Sequence, residues 1–129
     1  MSMGMVLTAL ALFQIKHYLA DFQWQSLWMV TNKGCYGHPG GLAHAGMHGA
    51  LSLIVLTMAT PWMPLLFLLL VLAEAAVHYH IDWLKAQIVS RSGIDENDQA
   101  YWHWLGLDQA MHQLTYLAML AALTFALAP

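Results

Sequence analysis

Four long apolar segments, separated by three short breaks, constrain the fold of this chain more than any other sequence feature. The breaks read TNKGCYGHPGG, TPWMP and SRSGIDENDQAYWHW, and they combine glycine, proline or charge. A helix needs about 20 mostly apolar residues to cross the hydrocarbon core of a membrane. The segments therefore predict four transmembrane helices. These predicted helices span residues 3–30, 41–60, 64–90 and 104–127.

Composition supports a membrane protein over a soluble helical one. Of the 129 residues, 60% are hydrophobic and only 9% are charged, whereas an average soluble domain has roughly a quarter charged residues. We therefore expect an all-α integral membrane protein forming one domain, residues 1–129. The formal net charge of −3 and the lack of a Lys/Arg run exclude nucleic-acid binding, which needs clustered cations. Cys35 is the only cysteine, so a thiolate metal cluster is also excluded.

The polar residues of each apolar segment lie near one end of it. They come late in the first and third segments and early in the second and fourth. Consecutive spans joined by short loops run in opposite directions. The four polar clusters are therefore predicted to meet at one depth, near one leaflet, with an apolar remainder on the other side.

Spacing within the segments indicates a repeat. HYLADF at residues 17–22 resembles HYHIDW at residues 78–83, and in both the histidine precedes the aspartate by four positions, which places the two on one helix face. The second and fourth segments each carry a further pair at the same spacing. We interpret this as a four-helix bundle made of two repeated helical hairpins, related by an axis along the membrane normal.

Buried ionisable residues in a membrane normally face the bundle interior and pair with one another. An isolated HxxxD pair is often only an interhelical hydrogen bond, but histidine and carboxylate side chains from four helices favour a metal site. Imidazole and carboxylate ligands suit zinc first, with manganese or iron as open alternatives. One or two divalent ions are expected. The predicted ligands are His17, Asp21, His44, His48, His78, Asp82, Asp108 and His112.

Three further residues are candidates for catalysis. Glu74 lies four positions before His78, so it is predicted to be a general base or a partner of a ligand. The same two roles are open to His17, in addition to its role as a ligand. Lys33 and Lys85 lie near the same interface and could hold an anionic substrate. Lys16 and Trp24, in contrast, are expected on the outer face of the bundle.

The order of these motifs resembles a known family. HYLADFQWQ with a downstream Lys33, then HAGMH, HIDWLK and LDQAMH, is similar to the pattern of a family of small bacterial integral membrane proteins of unknown function. More distantly, the histidine pairs resemble membrane-bound metal-dependent hydrolases. The chain departs from those hydrolases in its length and in its DQxxH ending, so the likeness implies a reaction class only by analogy.

Three functions follow as alternatives. The first is a metal-dependent hydrolase of a lipid phosphoester or another anionic amphiphile. The second is a proton- or ion-coupled transporter or channel, because histidine and carboxylate side chains also form proton relays. The third is a structural membrane subunit in which the polar residues only fix helix register.

Location follows from the loops. Lys33, Lys85 and Arg91 lie on the polar side, so the positive-inside rule places the polar layer at the cytoplasmic leaflet and both termini outside. The resemblance implies a bacterial inner membrane. The expected partners are membrane lipid and, since four helices leave much lipid-facing surface, a second copy in a homodimer.

Overall fold

A computed structural model describes residues 1–128, which form helices and no β-strand. The expected all-helical class is therefore confirmed. The elements are α1 (Met3–Tyr18), a π-helix (Leu19–Trp24), α2 (Leu27–Asn32), α3 (Pro39–Ala59), α4 (Pro64–Ser92) and α5 (Gln99–Ala126).

Three helical stretches are long and apolar enough to cross a membrane: Met3–Trp24, Pro39–Ala59 and Pro64–Ser92. This agrees with a membrane protein. The fourth long helix, α5, is less apolar because its first half carries polar residues such as Gln109, His112 and Gln113. Four spans and a repeated hairpin therefore stay predictions.

The first helix differs from the continuous segment predicted over residues 3–30. The chain changes to π geometry at Leu19 and becomes extended at Gln25, with φ −68° and ψ 129°. The Ser26 hydroxyl then accepts a hydrogen bond from the Met29 amide at 3.3 Å and caps α2. A serine that satisfies a free amide in this way favours a new helix start over continuation.

The last helix also begins earlier than the sequence predicts, at Gln99 instead of 104. The charged and aromatic stretch before 104 contains no glycine or proline after Gly93, so nothing in it prevents helix formation. Gly93 itself ends α4 with a left-handed φ of 63°, a conformation that glycine adopts without steric cost.

An apolar core joins α1, α3, α4 and α5. Its largest fully buried side chains are Phe13, Leu56, Phe67, Tyr116 and Leu123. The rings of Phe13 and Tyr116 stack in parallel with centroids 5.0 Å apart. This core fills the bundle beside the polar side chains and holds the four helices in the register that brings those side chains together.

Candidate metal centre

The polar side chains predicted to converge lie together in one layer, which we call the histidine–aspartate layer. The π-helix contributes one aspartate, α3 two histidines, α4 a histidine and an aspartate, and α5 one histidine. The members are Asp21, His44, His48, His78, Asp82 and His112. Each is at most 5% exposed, so bulk water does not solvate these side chains and they depend on one another.

Three imidazoles and one carboxylate form the first group of the layer. Asp21 Oδ1 lies 3.1 Å from His44 Nε2 and 3.1 Å from His48 Nε2. His78 Nε2 lies 3.1 Å from His44 Nε2. His44 and His48 thus direct Nε2 toward Asp21 Oδ1, and His78 directs Nε2 toward His44 Nε2.

Hydrogen bonding does not account for this arrangement. His44 Nε2 is within 3.1–3.3 Å of Asp21 Oδ1, Asp82 Oδ2 and His78 Nε2. A ring nitrogen carries at most one hydrogen and can donate it in only one direction. His44 Nε2 can therefore donate a hydrogen bond along only one of these three contacts.

The spacing agrees with a metal site. Zinc binds histidine nitrogen and carboxylate oxygen at about 2.0–2.2 Å in tetrahedral geometry, so its ligand atoms lie about 3.3 Å from one another. The contacts of 3.1 Å within the group of Asp21, His44, His48 and His78 are close to this value. The ligand atoms of all four side chains lie within 4.8 Å of one another, so the group could hold one divalent ion.

A second group shares His78 with the first and adds Asp82 and His112. Asp82 Oδ2 is 3.3 Å from His78 Nε2, and Asp82 Oδ1 is 3.8 Å from His112 Nε2. The rings of His78 and His112 stack with centroids 4.0 Å apart. The two groups are thus joined through His78 of α4.

Two of the eight predicted ligands, His17 and Asp108, lie outside these groups. His17 Nε2 contacts Gln109 Oε1 at 2.8 Å and Asp21 Oδ2 at 3.2 Å, while His17 Nδ1 lies 2.9 Å from the Tyr116 hydroxyl. Both its nitrogens therefore have partners, and the ring borders Asp21 from the side opposite the first group.

Asp108 lies at the edge of the layer. Its Oδ2 accepts hydrogen bonds from Lys85 at 2.9 Å and Gln109 at 3.1 Å. Its Oδ1 is buried and has no hydrogen-bond partner among residues 1–128; the nearest ring nitrogen, His112 Nε2, is 3.6 Å away.

The candidate catalytic lysines both pair with aspartates of the site. Lys33 Nζ is 3.1 Å from Asp82 Oδ2, and its side chain is 12% exposed. Lys85 pairs with Asp108, and its side chain is 25% exposed. They are the most accessible charged side chains in contact with an otherwise buried layer.

Lys16 corrects an expectation. Instead of facing outward it is 4% exposed, with Nζ 2.9 Å from Glu74 Oε1 and 3.3 Å from both His48 Nδ1 and the His48 carbonyl oxygen. Glu74, predicted as a general base, is thus an ion-pair partner. Helical spacing could have indicated that Lys16 is buried. It falls on the same face of the first helix as Ala9, Phe13 and Ala20, and all four residues are buried.

Sequence reasoning also gave no role to Gln109 and Tyr116, although both contact His17. Gln109 follows Asp108 directly, and Tyr116 lies four positions after His112, so helical spacing alone could have identified Tyr116. His80, in contrast, points away from the site, and its exposed ring contacts the Tyr36 hydroxyl at 3.2 Å.

Comparisons with known proteins give a family and no function. A family model described as "Protein of unknown function (DUF3307)" matches residues 9–128. No curated protein matches the chain. No solved structure matches it either.

Proposed function

Because the chain belongs to the DUF3307 family, whose function is unknown, we propose a function from the chemistry of the histidine–aspartate layer: the protein is an integral membrane metalloprotein. In this proposal Asp21, His44, His48 and His78 bind one divalent ion. Zinc is the first choice, because imidazole and carboxylate ligands in tetrahedral geometry suit it.

One observation carries the proposal. Two buried imidazoles, those of His44 and His48, direct Nε2 at Asp21 Oδ1 at 3.1 Å, and the Nε2 of a third, His78, lies 3.1 Å from His44 Nε2. Without a cation, this cluster would bring nitrogen lone pairs and a carboxylate together away from water, which is costly. A bound divalent ion would stabilise these four side chains by coordinating them.

A membrane location is supported by the surface as well as by the three apolar helices. Large apolar side chains face outward along the whole chain, including Leu27 at 77%, Leu65 at 70% and Phe125 at 80% exposure. A water-soluble monomer rarely exposes so much contiguous apolar surface. We propose that α5 is a fourth span and that the helices form two repeated hairpins.

For the reaction we propose metal-dependent hydrolysis of an anionic, lipid-like phosphoester at the cytoplasmic leaflet of a bacterial inner membrane. A zinc ion lowers the pKa of a coordinated water to about 7, and for water to bind here the ion would have to take a fifth ligand or release one of its four protein ligands. Lys33 and Lys85 are partly buried cations that pair with aspartates of the site, and they would attract the anionic group. The apolar core of Phe13, Leu56 and Phe67 beside the layer weighs against an ion pathway through the bundle.

Metal analysis tests the proposal. The full chain is purified in detergent without chelator, and bound metal is measured by elemental analysis. We expect at least one zinc or similar divalent ion per chain, and its loss in the double variant His44→Ala/His48→Ala. The matched control is His80→Ala, which removes an exposed histidine of α4 and should keep the metal.

Two results would contradict the proposal. One is wild-type protein that is folded by circular dichroism and contains no metal. The other is loss of metal from His80→Ala to the same extent as from the double variant, because the metal would then bind surface histidines.

A further inference from the structure

We infer that the layer holds a second divalent ion beside the first, with Asp82 as a carboxylate that bridges the two. This inference rests on the proposed metal site and extends it. The additional ligands are His112 and Asp108, and the centre is therefore dinuclear.

The two oxygens of Asp82 face different parts of the layer. Oδ2 lies 3.3 Å from both His44 Nε2 and His78 Nε2, on the side of the first group. Oδ1 lies on the side of α5, 3.8 Å from His112 Nε2. A carboxylate placed in this way can give one oxygen to each of two neighbouring ions; Oδ2, which also pairs with Lys33 Nζ at 3.1 Å, would then be a fifth ligand of the first ion.

Two buried polar atoms on α5 lack a hydrogen-bond partner among the described residues, and one of them, His112 Nε2, lies 3.8 Å from Asp82 Oδ1. His112 Nε2 and Asp108 Oδ1 make no hydrogen bond within residues 1–128, although their residues are only 1% and 4% exposed. Buried polar groups in proteins are nearly always satisfied. Two unsatisfied atoms that face one another indicate a missing ligand between them.

The gap between these atoms suits a metal ion better than a hydrogen bond. His112 Nε2 is 3.6 Å from Asp108 Oδ1 and 3.8 Å from Asp82 Oδ1, which is too long for a hydrogen bond. Two ligands of one ion, each at about 2.0–2.2 Å, lie about 3 to 4 Å apart, depending on the coordination angle. One nitrogen and two oxygens would therefore surround the second ion.

The ion pair with Lys85 uses only one oxygen of Asp108 and leaves the other, Oδ1, available to bind an ion. It binds Oδ2 at 2.9 Å and so orients the carboxylate with Oδ1 toward His112. Two adjacent ions can stabilise both the attacking and the leaving oxygen of a displacement at phosphorus, so a dinuclear centre deepens the proposal of a phosphoester substrate.

Stoichiometry tests this inference. Full-length protein in detergent is equilibrated with zinc, freed of excess metal by gel filtration, and analysed. We expect two ions per chain in the wild type and one in Asp108→Asn and in His112→Gln. The control His80→Ala removes an exposed histidine of α4, and it should keep two ions. The ion retained by the α5 variants shows that they are folded.

Cobalt tests the bridge. In protein reconstituted with Co²⁺, two ions joined by Asp82 should show magnetic coupling in electron paramagnetic resonance, and Asp108→Asn should give the uncoupled signal of one ion. Two uncoupled ions in the wild type would overturn the bridge. A single ion that Asp108→Asn leaves in place would overturn the second site while the proposed function stands, and wild-type protein without metal would overturn both.

Discussion

Lys16 shows how a single residue can stabilise the site from outside it. Its ammonium group lies between Glu74 Oε1 at 2.9 Å and His48 at 3.3 Å, and 4.4 Å from the centre of the Tyr116 ring. Glu74 is 1% exposed, so its charge has no water to stabilise it. Lys16 therefore neutralises a buried carboxylate and contacts the back of a candidate ligand.

Replacing Lys16 should destabilise the protein strongly. Lys16→Met leaves Glu74 buried without its counter-ion, a change that typically costs about 3 to 5 kcal/mol. The double variant Lys16→Met/Glu74→Gln removes both charges and should recover much of the loss. Thermal unfolding in detergent measures both. A single variant as stable as the wild type would show that the ion pair does not contribute.

His17 is expected to support the site instead of binding the ion. Its Nδ1 can accept from the Tyr116 hydroxyl while its Nε2 donates toward Gln109 Oε1 and Asp21 Oδ2, so neither nitrogen is free for an ion. Residues that orient a metal ligand typically contribute about 10- to 100-fold in affinity.

His17→Ala should therefore weaken zinc binding by about 10- to 100-fold, whereas Asp21→Ala should abolish binding at the first site. Competition with a chelator of known affinity measures both variants. Equal, complete loss in the two variants would instead return His17 to the set of ligands that the sequence predicts.

At the scale of elements, the π-helix Leu19–Trp24 is the feature that sequence reasoning did not find. It carries Asp21, and π-helices frequently occur at functional sites. Apolar periodicity indicates where a helix lies but not a local change in its hydrogen-bond pattern. Ser26 marks the end of this segment, but serine within an apolar run is equally compatible with a continuous helix.

Convergence of the polar residues, in contrast, could be predicted from the sequence. Alternating helix direction and spacing of four residues were enough to bring Asp21, His44, His48, His78 and Asp82 together. The same reasoning could not separate ligands from their neighbours, because His17, which contacts Asp21 from outside the two groups, shares that spacing. Lys16 was placed outside because lysine is rarely buried, and its buried partner Glu74 overrides that preference.

Two glycines of α3 allow a matched test of helix packing. A Cβ at Gly40 would lie 2.9 Å from the backbone oxygen of Trp28, whereas a Cβ at Gly46 would have nothing within 4 Å. Gly40→Ala should lower the unfolding temperature, because α2 must move away from α3. Gly46→Ala should leave it unchanged or raise it, since alanine favours helix by up to about 1 kcal/mol.

Thermal unfolding of both glycine variants in the same detergent checks this. Equal effects of the two substitutions would contradict the close packing of α2 on the start of α3.

At the scale of the whole molecule, the layer lies beside an apolar core, and the side of the membrane from which it is reached decides which compartment it serves. Cys35 is exposed in the segment between α2 and α3, two residues after Lys33. As the single cysteine of the chain, it reports the orientation without any substitution. We propose that the apolar outer surface of the helices contacts membrane lipid. In a homodimer, a second copy of the chain would cover part of that surface.

We expect a membrane-impermeant thiol reagent to label Cys35 in inverted inner-membrane vesicles and not in intact spheroplasts, because the positive-inside rule places this loop in the cytoplasm. The control variant Cys35→Ser should show no labelling in either preparation. Labelling in intact spheroplasts would place the layer at the opposite leaflet.

X-ray absorption at the zinc edge of protein purified without chelator tests the central claim most directly. The account predicts a zinc ion surrounded by nitrogen and oxygen at about 2.0–2.2 Å, with the scattering signature of several imidazoles. A first shell containing sulfur would contradict it, and so would a shell of oxygen without imidazole or a sample that contains no metal.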